Sequence, residues 1–256
     1  MLELCRIDRS FRAGADTVRV FSDFSLSVRR GSFVSVVGSN GSGKTTLLNL
    51  VSGSIRPEAG RVLLDGEDIT DRSEHLRFAR VGRVYQDPAA GTVAELTVAE
   101  NFALARNKGR RFGFSRLVSS SALACMREEI ASLGMGIEDR MNVAVGALSG
   151  GQRQALALLM ATATPIDLLL LDEHTAALDP KSAETLMILT DRVIREKALT
   201  AVMVTHNLRY AVEYGDRLLM LDHGTVVFEA EGEEKTRLTV EDLLPLFGKI
   251  SVECGN

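Results

Sequence analysis

The sequence predicts an α/β fold: a sheet covered by helices, with an N-terminal antiparallel β region and an inserted helical subdomain. Short apolar runs recur along the chain, SFVSVV at 32–37, DLLLLD at 167–172, TAVMVT at 200–205 and RLLMLD at 217–222. Each has the length and composition of a buried strand. Helix-patterned segments at 150–163, 181–197 and 207–214 separate several of these runs, the alternation of a helix-covered sheet. Between about 87 and 150 the pattern changes to Ala-, Leu- and Glu-containing helical stretches with no convincing strand.

Taken in order, residues 2–37 read as short strands, with FSLSV at 24–28 alternating and Arg29-Arg30-Gly31 forming the turn before 32–37. A helix starts at Lys44. RVLL at 61 and RVY at 83 are further short strands, and helical patterns follow at 97–106 and 120–133. Between them NKGRRFGFSR at 107–116 is a basic, glycine-containing loop, read as a solvated connection. After TVVFEA at 225, LTVEDLLPLFGK at 238–249 reads as an amphipathic helix with Thr239 as N-cap and Asp242 at the third helical position. The expected organisation is one domain over 1–256. Residues 1–86 and 156–228 form its core, 87–155 the helical subdomain and 229–256 a tail that docks on a partner, regulates or, the favoured reading, caps the sheet.

A chain of 256 residues with 45% apolar content can bury a large core. Thirty Lys and Arg against 34 Asp and Glu give a net charge of −4, so no nucleic-acid partner is expected. Cys5, Cys125 and Cys254 are far apart and lack C-x-x-C spacing, which points away from a metal site or disulfide framework and toward a reducing cytosol. No apolar run approaches the roughly 20 residues of a spanning helix, and MLELCRID lacks the features of a signal peptide.

VVGSNGSGKTTLL at 36–48 contains G-x-x-x-x-G-K-[ST] as Gly38, Gly43, Lys44 and Thr45, between a predicted strand and a predicted helix. Ser39, Asn40, Gly41, Ser42 and Gly43 form a turn whose N–H groups can point at phosphate oxygens, and the helix N-terminus that follows adds partial positive charge. Lys44 reaches the β- and γ-phosphates of a nucleoside triphosphate, Thr45 offers its hydroxyl to Mg²⁺, and Thr46 completes the cradle. PIDLLLLDE at 165–173 is a strand ending in two carboxylates. Alternation sends them in different directions, so Asp172 is free to serve Mg²⁺ and Glu173 to orient and deprotonate a water.

LSGGQ at 148–152 opens a helix, with Ser149 as N-cap and Gly150 and Gly151 permitting close backbone approach before Gln152. A phosphate loop at 38, LSGGQ at 148, LLLLDE at 168 and a strand ending in Thr205-His206, in that order, make nearly the whole chain resemble the ATP-binding cassette ATPases. That resemblance implies a P-loop NTPase with a RecA-like core that binds and hydrolyses ATP with Mg²⁺. It implies that Phe11 stacks on adenine, although Tyr is more usual there and GADTVRV stretches the spacing. It gives Gln86 the role of reaching the Mg²⁺ and water at a hinge, Asp179 that of communicating across a dimer, and His206 that of contacting the γ-phosphate. The LSGGQ of one copy covers ATP held by the other in this family, so a second copy is required.

The resemblance further implies a separate transmembrane permease, a substrate-binding protein if the system imports, and a peripheral place on the cytoplasmic side of the cell membrane. A permease helix is expected in a groove around Gln86, against VAELTVAENF at 93–102. Two departures stand out: His174 where proline commonly follows the Asp-Glu pair, and ALALLMATA after LSGGQ without the arginine often found there. DEHTAALDP resembles a subgroup of importers with amino-acid-type permeases. The alternative, a soluble assembly ATPase of the iron–sulfur scaffold kind, usually has Glu at the position of Gln152.

Overall fold

The computed structural model describes residues 1–14, 16–108 and 120–253; the part of the predicted basic loop at 109–116 and Cys254 lie outside them. In chain order the elements are β1 (Leu2–Ala13), β2 (Asp16–Val28), β3 (Phe33–Gly38), α1 (Lys44–Ser52), β4 (Ala59–Leu64), β5 (Glu67–Asp68), α2 (Glu74–Arg77) and β6 (Val81–Val84). There follow α3 (Val98–Arg106), α4 (Ser120–Ala131), α5 (Gly150–Ala161), β7 (Leu168–Asp172), α6 (Pro180–Glu196) and β8 (Thr200–Val204). The last are α7 (Leu208–Glu213), β9 (Arg217–Asp222), β10 (Thr225–Glu231), α8 (Glu233–Arg237) and α9 (Val240–Glu253).

The central sheet has the order β10-β9-β3-β8-β7-β6. From β9 to β6 every pairing is parallel, and only β10 is antiparallel. Its inner strands β3, β7 and β8 are buried at every position and mostly apolar because both faces are covered, and the period of two divides their side chains between the faces. Val34, Val36, Leu168, Leu170, Val202 and Val204 enter one core with α1 and the N-terminal sheet. Phe33, Leu169, Leu171, Ala201 and Met203 enter the other, with α3, α4, α5 and α6. Truncating one of the central leucines to alanine costs about 2–5 kcal/mol.

The second sheet, β2-β1-β4-β5, is antiparallel, as expected, but the short strands expected before residue 28 are two long ones. β1 and β2 pair over almost their full length with register shifts near Leu4/Ile7, Ile7/Arg9 and Arg9/Ser10. Each shift breaks the in-out alternation, which fragments the sequence pattern of a continuous strand.

Between β6 and β7 the described residues carry only helices, 3₁₀ turns and an isolated bridge, Thr97 to Ala144. Thr97 and Glu100 form a reciprocal capping box that starts α3. At the far end, Thr239 and Asp242 cap α9 as the sequence predicts, the Asp242 carboxylate accepting from the Thr239 N–H at 2.9 Å. Leu243 of α9 packs with Val37, Leu218 and Met220, so the tail covers one face of β9; α8 was not foreseen.

Candidate active site

Because β3, β6, β7 and β8 are parallel, their C-terminal ends meet at one edge of the sheet, where open α/β sheets place their ligands. β3 delivers Gly38, β7 Asp172 and Glu173, β8 Thr205 and His206, and β6 Tyr85 and Gln86. A pocket of about 210 Å³ opens there, lined by Phe11, Val20, Asn40, Gly41, Gly43, Lys44, Thr45, Thr46, Glu173 and His206.

The turn from β3 into α1 is built for an anion. Gly43, the N-cap of α1, has φ 106°, and a Cβ there would lie 2.9 Å from the Phe21 ring, so both backbone and space demand glycine. Lys44 is buried, and its Nζ donates to the carbonyls of Gly38 at 2.8 Å and Ser39 at 2.7 Å. Burial pushes the Lys44 pKa down while Glu173 and Asp172 oppose that shift. The hydroxyls of Ser39 and Ser42 are buried with no hydrogen-bond partner among the described residues. Buried hydroxyls in that condition are costly, and phosphate oxygens would satisfy them.

Glu173 has φ 46°, an uncommon conformation for a residue with a Cβ. Its N–H donates to Val204 O at 2.9 Å, and its Oε1 lies 2.7 Å from His206 Nε2. The turn points the carboxylate into the pocket, and the imidazole steadies it. Asp172, one residue earlier, meets Arg83 at 2.6 Å, so the two acids have separate partners although both act on Lys44.

The donor set fits Mg²⁺. Thr45 and Asp172 offer hard oxygens, and no group of three or more His, Cys, Asp or Glu forms a self-sufficient cage among the described residues. A cation held by one or two protein oxygens is completed by phosphate and water, the usual condition of Mg²⁺.

Other expected residues lie apart from this pocket. Gln86 is exposed just beyond β6 and does not line it. Ser149 caps α5, accepting from Gln152 N–H at 3.3 Å while the Gln152 side chain accepts from Ser149 N–H at 3.2 Å. Gln152 Nε2 also donates to Met135 O at 3.0 Å. A Cβ on Gly150 would meet Leu178 at 3.3 Å and one on Gly151 would meet Ser182 at 3.2 Å, so this glycine pair also lets α5 approach α6. Asp179 caps α6, accepting from Ser182 N–H at 3.1 Å, and hydrogen bonds from the Ser182 side chain and then its N–H hold the carboxyl below the usual range. His174 is buried, with Nε2 3.1 Å from Thr190 Oγ1 on α6, and burial pushes its pKa down to about 4. Val20 and Arg83 were missed by sequence reasoning. Val20 stands on the Phe11 side of the β1–β2 ribbon, and only the register of β1 against β2 shows it.

A parallel sheet that gathers a phosphate loop, an Asp-Glu pair and a histidine at one edge defines a P-loop ATPase. The family follows from comparison: the ABC transporter family model matches residues 21–176, and the chain belongs to that family. It is 41% identical over 255 residues to the tyrosine transport ATP-binding protein of Clostridioides difficile (strain R20291), covering 96% of this chain and 98% of that protein. It is 35% identical to the phosphonates import ATP-binding protein PhnC of Alcaligenes faecalis, covering 90% and 82%. The lipoprotein-releasing system ATP-binding protein LolD of Chromohalobacter salexigens is 37% identical, with 90% and 94% covered. Among solved structures, a dimeric bacterial ABC transporter cassette superposes with a TM-score of 0.78 at 28% identity, covering 90% of this chain and 98% of that one. A cassette in a post-hydrolysis state with ADP and Pi superposes with a TM-score of 0.75 at 29% identity, with the same coverage. The soluble assembly alternative finds no support in these likenesses. No helix of the described residues is long and apolar enough to cross a membrane.

Proposed function

We propose that the chain is the ATP-hydrolysing subunit of an importer with an amino-acid-type permease, and that it works as a pair at the cytoplasmic face of the cell membrane. The observation that carries this reading is the Glu173–His206 pair beside the phosphate loop, in a chain resembling a tyrosine transport ATP-binding protein over nearly its whole length. His174, which replaces the common proline, supports the subgroup by sequence.

In this reading the N–H groups of residues 39–46 cradle the phosphates of ATP, and Lys44 leaves its two carbonyl partners for phosphate oxygens. Phe11 and Val20 form the wall for the base. Glu173 accepts the proton of a water whose oxygen attacks the γ-phosphorus as the bond to ADP breaks, and His206 holds Glu173 in line. Thr45, Asp172 and, after hinge movement, Gln86 would hold Mg²⁺, which neutralises phosphate charge when bound. Ser149, Gly150, Gly151, Gln152 and Asp179 belong to the partner copy's site, which accounts for their distance from this chain's own pocket. The core is 1–86 and 156–228, the helical subdomain 87–155 and the tail 229–256.

An apolar groove of about 330 Å³ lies between β6, α3 and α5, lined by Phe78, Tyr85, Leu104 and Met160 among others. It is the seat for a permease helix beside Gln86 and 93–102. The test is purification of tagged Glu173→Gln from detergent-solubilised membranes with ATP, followed by mass spectrometry. A stoichiometric polytopic membrane protein is expected, and recovery with soluble partners alone would overturn the transport reading.

A further inference from the structure

Arg83 lies on β6, the outer strand beside β7, with its side chain only 5% exposed. Its Nη2 donates to Asp172 Oδ2 at 2.6 Å, and the Asp172 side chain is itself 12% exposed. Nη1 donates to Asn49 Oδ1 at 2.8 Å and Ser52 Oγ at 3.3 Å, both on α1, and the guanidinium lies 4.7 Å from the Tyr85 ring centroid. One group therefore ties three parts of the site together: the strand that leads to Gln86, the carboxylate at the end of β7, and the helix that follows the phosphate loop. Nε is buried without a hydrogen-bond partner among the described residues. The guanidinium thus sits where the charge of Asp172 needs it, with one donor left unsatisfied.

A carboxylate buried this far is stable only beside an opposite charge. That charge is built into the chain. We propose that Arg83 is a positioning residue and resident counter-cation for Asp172. It holds the carboxylate in place in the nucleotide-free cassette and opposes divalent-cation binding there, so that the cation is retained only together with nucleotide phosphates. The proposal rests on the ATPase reading of the site and deepens it. Its chemistry is electrostatic: a cation at Asp172 feels the guanidinium across a mostly buried path where screening is weak. Triphosphate oxygens supply the additional negative charge that overcomes this repulsion.

The experiment is Mn²⁺ binding to the purified chain by equilibrium dialysis, with and without ATP, the metal retained on the protein side being counted against a protein-free control that contains the same ATP. Wild type should leave Mn²⁺ free without ATP and retain it with ATP. Arg83→Gln should bind Mn²⁺ without nucleotide at least about tenfold more tightly, the scale set by removing a buried unit charge near a divalent ion. Arg83→Lys, which keeps the charge, should follow wild type, and adding Asp172→Asn to Arg83→Gln should abolish the gain. Equal Mn²⁺ binding by folded Arg83→Gln and wild type would overturn the proposal. A test independent of that variant's folding uses wild type melted with Mn²⁺ alone: no stabilisation is expected, and a rise in Tm that Asp172→Asn removes would also overturn it. Failure of wild type to retain Mn²⁺ even with ATP would instead refute the nucleotide-site reading on which the proposal stands.

Discussion

A carboxylate takes a proton from water efficiently only when it is held toward that water, and Glu173 is held at both ends. Its backbone is bonded to Val204 O at 2.9 Å and its Oε1 lies 2.7 Å from His206. Glu173→Gln keeps the shape and removes the base, so turnover measured by phosphate release should fall about 10²–10⁴-fold while ATP affinity stays near wild type. Lys44→Ala acts elsewhere. It removes the buried cation of the loop, so ATP affinity itself should drop in a fluorescent-nucleotide titration, and unchanged affinity would refute the phosphate role. The residues behind these two predictions were legible because each belongs to a short motif whose geometry is local. Arg83 was not, since its partner Asp172 is 89 positions away and nothing in VGRVYQ marks an arginine that points inward. His174 was visible only as a departure; its burial against Thr190 depends on the packing of α6 on β7.

At the scale of elements, the strands and helices of the central sheet were readable because both faces are buried and their apolar runs are continuous. β1 and β2 were blurred by their register shifts, and α8 is too short and charged, EEKTR, to show a period. α8 nevertheless anchors the tail through Lys235, which is buried and donates to the carbonyls of Val212 and, at 3.0 Å, Tyr214. Burial is the largest influence on this ammonium and pushes its pKa from 10.5 down to about 8. Below about pH 8 both folded and unfolded chains carry the proton, and the folded one bears the full cost of burying it. Between about 8 and 10.5 the folded chain releases the proton while the unfolded chain keeps it, so this group makes stability rise with pH. Urea denaturation of wild type and Lys235→Met across that range should show the rising difference attributable to Lys235. Parallel pH profiles for the two proteins would show that the side chain is not buried as a cation.

For the whole molecule, the decisive geometric fact is a separation. Phe11, Lys44, Thr45, Glu173 and His206 share one pocket, while Ser149 and Gly150 are exposed at the start of α5 and line none of it. In the proposed pair this surface helix start, with two glycines at its first turn, would face the triphosphate held by the second copy. In a two-fold pair each ATP then lies between the loop of one chain and the α5 start of the other. This arrangement predicts complementation. Lys44→Ala disables the loop of its own chain, and Gly150→Asp places a carboxylate against phosphate held by the other, although an acid in the first turn favours the helix itself. Each variant alone should be inactive. Mixed in equal amounts, half the pairs combine one of each, and each such pair has one site with an intact loop and an intact α5 start. Phosphate release should therefore recover to at most about a quarter of wild type for independent sites. A mixture as inactive as its components, with mixed pairs verified by differently tagged copies, would overturn a pair of independent sites each built from both chains.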